Sequence, residues 1–120
     1  MNIAILGAGA FGTAMSKHLS SLGCDVLLWT IDERQSDGIN KNHRNPLCFQ
    51  ETELQQNIRC TLDICEALDF SDRIIMALPT QVEREVCEKV ARSGRKGLHM
   101  LNLSKGIEIA TGALLHEIHD

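Results

Sequence analysis

Three glycines within six residues, Gly7-Ala8-Gly9-Ala10-Phe11-Gly12, carry the first chemistry legible in this chain. They match G-x-G-x-x-G, follow a short apolar run at Asn2–Leu6, and open a helical segment. In that context each glycine has its own task. Gly7 permits a tight turn, Gly9 lets a diphosphate approach the backbone, and Gly12 lets the helix pack closely on the strand. The free N–H groups and the positive dipole end of the helix then face the anion. A glycine-rich strand-to-helix connector is the plainer reading of the same residues, and the flanking strand and helix favour the phosphate-binding one.

A dinucleotide site of this kind also needs an acid about 20 residues further on, which accepts hydrogen bonds from a ribose 2′-hydroxyl and repels a 2′-phosphate. Asp32 and Glu33 stand just past the second β-type run, with Arg34 the basic neighbour. NAD(H) is therefore the expected cofactor, with NADP(H) less favoured. Asp32 is equally suited to capping the next helical segment, and the two roles are compatible. His116 and His119 are spaced i, i+3, but with only Glu117 and Asp120 beside them they read as a solvated helix face, so no metal is expected. His18 and His43 are isolated. The five cysteines, Cys24, Cys48, Cys60, Cys65 and Cys87, contain no C-x-x-C pair, and four lie in apolar periodic segments. They read as reduced, small hydrophobes in a cytoplasmic protein.

Strands and helices must alternate to position such a turn, and the pattern supplies them. Asn2 to Leu6 reads as a strand, then Phe11 to Leu22 as a helix with Met15, Leu19 and Leu22 at helical spacing and Gly23 as its C-cap. Asp25 to Trp29 is a second strand, Ile58 to Thr61 a short third, and Arg73 to Leu78 a fourth that Pro79 stops. Gln81 to Arg92 reads as a helix with Val82, Val86 and Val90 on one face. Leu98 to Leu103 gives a fifth strand, and Thr111 to Ile118 a final helical turn or two. The polar stretch from Gln35 to Asn57 is too long for a bare connector, so a short helix and a functional loop are expected there. Strands that are nearly continuous apolar runs suit a parallel sheet covered on both faces. The implied fold is a doubly wound α/β, Rossmann-type dinucleotide-binding domain over residues 1–120.

Bulk properties narrow the classes further. The 120 residues carry a net charge of −4, with 43% apolar and 23% charged residues, ordinary for one soluble domain. No basic cluster points to nucleic acid, and no apolar run approaches the ~20 residues that span a bilayer. The N-terminus runs straight into the glycines, as a first strand does and a signal peptide does not.

Beyond the glycines, Gly9-Ala10-Phe11-Gly12-Thr13-Ala14 resembles the Gly-x-aromatic-Gly-Thr-Ala turn of NAD(P)-dependent glycerol-3-phosphate dehydrogenases. Val26-Leu27-Leu28-Trp29 is similar to that family's second strand, Asn45-Pro46 to the start of its Asn-Pro-x-Tyr-Leu-Pro loop, and Ala77-Leu78-Pro79-Thr80-Gln81 to its Val-Pro-Ser-Gln. Ser104-Lys105-Gly106-Ile107-Glu108 and Thr111-Gly112-Ala113-Leu114-Leu115 resemble its Thr-Lys-Gly-Ile-Glu and Thr-Gly-x-Leu-Leu. These segments fall in the family's order and span the whole chain.

The resemblance implies hydride transfer between glycerol 3-phosphate, which becomes dihydroxyacetone phosphate, and the nicotinamide. Ala10 and Phe11 would contact the cofactor diphosphate, Ile31 and Asp32 would flank the adenosine ribose, and the turn from Pro79 to Val82 would border the nicotinamide. Lys105 would hold substrate phosphate or hydroxyl groups and touch the cofactor. Two departures stand out. Many bacterial members carry an arginine after the second strand, suited to NADP, where this chain has Ile31-Asp32; and Tyr-Leu-Pro is replaced by Cys48-Phe49-Gln50, which leaves that tyrosine's contact open. The family's general acid/base lysine and its substrate-phosphate groups belong to a C-terminal helical domain outside these residues. No catalytic residue is thus expected here, and residues 1–120 alone are expected to bind cofactor without turnover. An apolar surface left by that missing domain makes a homodimer the expected partner state. Two alternatives remain open: a non-catalytic NAD(H)-binding module or degenerate paralogue, and a relative with the same first domain, such as a ketopantoate reductase or hydroxyacyl-CoA dehydrogenase.

Overall fold

Three of the five strands open on an exposed polar residue, Asn2, Asp25 or Arg73, and continue into buried apolar ones, so each of these enters from solvent and is then covered on both faces. The computed structural model describes residues 1–47, 52–78 and 80–102. Leu103, Lys105, the helix expected over Thr111 to Ile118 and the His116–His119 pair lie outside the described residues, as do Cys48, Phe49, Gln50 and Pro79. The strands are β1 (Asn2–Leu6), β2 (Asp25–Trp29), β3 (Ile58–Thr61), β4 (Arg73–Met76) and β5 (His99–Asn102). They form one parallel sheet in the order β3-β2-β1-β4-β5, with Ile5 in register with Leu28 on one side and Ile75 on the other. This is a doubly wound, Rossmann-type parallel sheet, the fold class expected from the strand–helix alternation.

Successive side chains along each strand feed two separate cores. Ile3, Ile5, Val26, Leu28, Ile58 and Ile75 pack beneath Met15 and Leu19 of α1 (Ala10–Ser21). Ala4, Leu6, Leu27, Trp29, Ile74 and Met76 pack against Ala67 and Leu68 of α3 (Ile64–Phe70) and Val86 and Val90 of α4 (Thr80–Arg92). Ile5 and Leu28 are fully buried, each stabilising the fold by roughly 1.5–3 kcal/mol relative to exposure.

Several details differ from expectation. Leu22 is 68% exposed rather than part of the α1 stripe, because the helix ends at Ser21 and Leu22 serves as its C-cap. Gly23, at φ +94°, donates to Ser20 O and Cys24 N–H donates to Leu19 O, the paired bonds of a Schellman ending. Strand β4 stops at Met76, two residues short, although Ala77 N–H still donates to Leu6 O. Helix α3 was not anticipated. Its inward residues Ile64, Ala67 and Leu68 keep i, i+3, i+4 spacing, but seven residues are too few for the pattern to stand out.

In the polar stretch, α2 (Glu33–Asp37) runs into a π-helical turn (Gly38–Asn42) that His43 ends at φ +54°. Among the described cysteines, only Cys60 is buried; Cys24 is half-buried, and Cys65 and Cys87 are exposed. These four are unpaired thiols, and two of them are not the small core hydrophobes expected.

Candidate functional site

At the carboxyl edge of the sheet, the chain leaves β1 toward α1 on one face and leaves β4 toward α4 on the other. The divergence opens a crevice of about 220 Å³, lined by Gly7, Gly9, Thr30, Ile31, Leu78 and Val82 among others. A larger hollow of about 680 Å³ runs beside the edge strand β3, with Arg59, Glu66 and Asp69 on its walls. The smaller crevice is the better candidate, since it sits at the topological switch point and receives the glycine turn.

The three glycines of that turn differ in what surrounds them. Gly7 has φ +123°, and a Cβ there would lie 2.3 Å from Ala77 O. A Cβ on Gly12 would lie 2.2 Å from Gly7 O, so helix α1 can approach β1 only without a side chain. Gly9 has φ −74°, a conformation open to any residue, and a Cβ there would meet nothing within 4 Å. Among the described residues nothing requires glycine at position 9, and the cleared space suits a group outside them. Gly9 is also the N-cap of α1, which has no side-chain cap and no acid in its first turn. Its first N–H groups are left for an external acceptor, and the residues present suit an anion such as a diphosphate. Ala10 and Phe11, both exposed, occupy that first turn.

Past β2, Ile31 is 79% exposed and Asp32 follows it. Asp32 Oδ1 accepts the Arg34 N–H at 2.8 Å and caps α2, while the Arg34 guanidinium reaches Oδ1 at 3.3 Å and Oδ2 at 3.1 Å. The hydrogen bond from that guanidinium holds the Asp32 carboxyl below its usual range, and the same contact raises Arg34. The turn after β3 repeats this local design. Thr30 Oγ1 accepts the Asp32 N–H and Thr61 Oγ1 accepts the Asp63 N–H, both at 3.1 Å, and Asp63 caps α3. Capping is therefore common to both turns, and the paired arginine together with a place at the crevice sets Asp32 apart.

Gln35, three residues after the Asp32 cap, has the spacing of a capping box, yet its side chain turns inward. Its Nε2 donates to Ala8 O at 2.7 Å and its Oε1 accepts from Thr30 Oγ1 at 2.6 Å. Asn45, fully buried, donates from Nδ2 to the same Ala8 carbonyl at 2.8 Å and to Thr13 Oγ1 at 2.9 Å. Sequence reasoning placed Asn45 only by resemblance and missed Gln35 and Thr30. The inverted capping box and a buried amide in a polar loop were the available signals. Of the expected site residues, Gly7, Gly9, Ile31 and Val82 line one crevice, and Gly12, Ala10, Phe11 and Asp32 stand next to it in the chain or helix. Pro79 and Lys105 lie outside the described residues.

The family described as NAD-dependent glycerol-3-phosphate dehydrogenase N-terminus matches residues 2–120. A glycerol-3-phosphate dehydrogenase (NAD(P)+) of Lysinibacillus sphaericus (strain C3-41) is 39% identical over 106 residues, covering 88% of this chain and 31% of its own length. The enzyme of the same description from Thermoanaerobacter sp. (strain X514) is 35% identical over 98% of this chain and 36% of its own. This chain thus spans about a third of the length of the curated relatives it matches. A crystal structure of glycerol-3-phosphate dehydrogenase from Coxiella burnetii superposes with a TM-score of 0.78 at 23% identity, over 84% of this chain and 31% of that one, a likeness of fold.

Proposed function

Because the chain belongs to the family of NAD-dependent glycerol-3-phosphate dehydrogenase N-termini, we propose that the crevice at the carboxyl edge of its sheet holds a nicotinamide dinucleotide for interconversion of glycerol 3-phosphate and dihydroxyacetone phosphate. The observation that carries this reading is Gly9, a glycine whose missing side chain clears space for a group outside the chain. Gly9, Ala10 and Phe11, at the uncapped start of α1, would hold the diphosphate. Ile31 would give an apolar surface beside the adenosine, Asp32 would accept hydrogen bonds from the ribose hydroxyls, and Val82 would border the nicotinamide end, the role also proposed for Pro79.

When bound, the nicotinamide supplies the hydride acceptor, and this chain orients it and keeps water from its apolar side. Among the described residues the crevice has no acid, base or thiol on its walls. The group that accepts the substrate hydroxyl proton therefore comes from elsewhere, and Lys105 is assigned to holding substrate.

NAD(H) is preferred over NADP(H). A 2′-phosphate set against Asp32 would meet an ionised carboxylate, and only by leaving Asp32 could Arg34 compensate. Asp32→Asn keeps an oxygen for the α2 cap and removes the charge. Calorimetric titration with NADH and NADPH is expected to show tighter NADH binding in the parent. In Asp32→Asn the NADPH-to-NADH affinity ratio should rise about tenfold, the scale of one charge-assisted hydrogen bond. Tighter NADPH binding by the parent would overturn the preference.

A further inference from the structure

The carbonyl oxygen of Ala8 is the meeting point of three side-chain donors: Gln35 Nε2 at 2.7 Å, Asn45 Nδ2 at 2.8 Å and Thr13 Oγ1 at 3.3 Å. A carbonyl has two lone pairs, so this one is saturated. The donors are themselves fixed. The Ala8 carbonyl can only accept, so Gln35 turns Nε2 to it and Oε1 to Thr30, whose hydroxyl donates to that oxygen while accepting the Asp32 N–H. Leu47 N–H donates to Asn45 Oδ1, which assigns Asn45 Nδ2 to Ala8 and Thr13 in the same way. Gln35, Asn45, Thr13 and Thr30 are all buried. The loop that brings Asn45 in depends on Gly38, where a Cβ would lie 2.6 Å from Pro46 Cδ.

Because the peptide bond is planar and trans, its C=O and N–H point in opposite directions. Tying the Ala8 oxygen to the buried donors turns the N–H of the next residue, Gly9, away from them. Gly9 is exposed and lines the crevice. We propose that Gln35 and Asn45 are positioning residues for the diphosphate. By fixing the Ala8–Gly9 peptide plane they hold the Gly9 N–H ready to bond an anion, and through Thr30 they link that plane to the Asp32 turn. This rests on the dinucleotide reading for its natural ligand, but the peptide orientation stands on these contacts alone. A chain of bonded groups that polarise one another is also stiffer than separate pairs, so the turn is set before ligand arrives.

The test uses the full-length chain, ¹⁵N-labelled, with inorganic pyrophosphate as one probe and NADH as the other. Gln35→Met keeps length and removes the donor, Asn45→Leu does the same at the second site, and Thr30→Val releases Gln35 without touching Ala8. In the parent, pyrophosphate should shift the Gly9 and Ala10 amide resonances. In each folded variant the Gly9 amide should be displaced before any ligand is added. Pyrophosphate and NADH should bind about tenfold more weakly, the effect of one lost hydrogen bond, while in Gln35→Met and Asn45→Leu adenosine affinity stays within about twofold. A purely structural role would lower all three affinities together, or none. An unmoved Gly9 amide with unchanged pyrophosphate affinity in folded Gln35→Met or Thr30→Val would overturn the proposal. If the parent responds to pyrophosphate but not to NADH, and the variants lose that response, the dinucleotide reading fails and the positioning role stands.

Discussion

Cys60 shows how burial alone decides the behaviour of a residue in this chain. It sits on β3 in the same core as Ile58 and Leu28, and burial pushes its thiol up to about 12, against weaker opposing contacts with Ser36 and the Thr61 carbonyl. A raised thiol means that the folded state keeps the proton while the unfolded chain loses it near its ordinary value. The contribution to stability is therefore complete below about pH 8.5 and is lost as pH rises toward 12. Denaturant titrations between pH 8 and 11 should show stability falling with pH in the parent and falling less steeply in Cys60→Ala. Equal slopes would place the thiol in a wetter site than this. Nothing in the sequence separated Cys60 from Cys65 and Cys87, since all three lie in apolar periodic segments. Only the face each occupies does so, and that depends on neighbouring elements.

Element boundaries carry a different lesson. Helix α1 ends where Leu19, Ser20, Gly23 and Cys24 close their two reciprocal bonds, with Gly23 in the left-handed region. Gly23→Ala should cost about 1–2 kcal/mol in thermal or chemical unfolding, the price of that backbone for an L-residue, and leave cofactor affinity unchanged because the site is at the other end of the helix. A loss of affinity without a loss of stability would contradict this division. The strands and both longer helices were legible because apolar runs and helical spacing persist over enough residues. Helix α3 and the π-helical turn were not, because each is one or two turns long and its geometry is fixed by what it packs on. In the site, the glycines and Asp32 were legible from local spacing. Gln35 and Asn45 were not, because their importance lies in reaching one carbonyl from 27 and 37 residues away.

At the scale of the whole molecule, the sheet order places β1 and β4 side by side with their following helices on opposite faces, and the crevice follows from that divergence. Everything argued for the ligand converges there: the uncapped start of α1, the exposed Ile31, the paired Asp32 and the three glycines with three different reasons. The reasons separate experimentally. Gly12→Ala forces a Cβ against the Gly7 carbonyl and should destabilise the fold by at least about 2 kcal/mol. Gly9→Ala adds a methyl group to open space at an ordinary φ and should change stability by less than about 1 kcal/mol. The direct measurement is calorimetric titration of NADH into the full-length parent and Gly9→Ala, with thermal unfolding of both. The account predicts that Gly9→Ala remains as well folded as the parent and binds NADH at least about tenfold more weakly, a loss of 1.4 kcal/mol or more. Undiminished NADH binding by a folded Gly9→Ala chain would contradict it, because the space at Gly9 would then have no ligand to explain it.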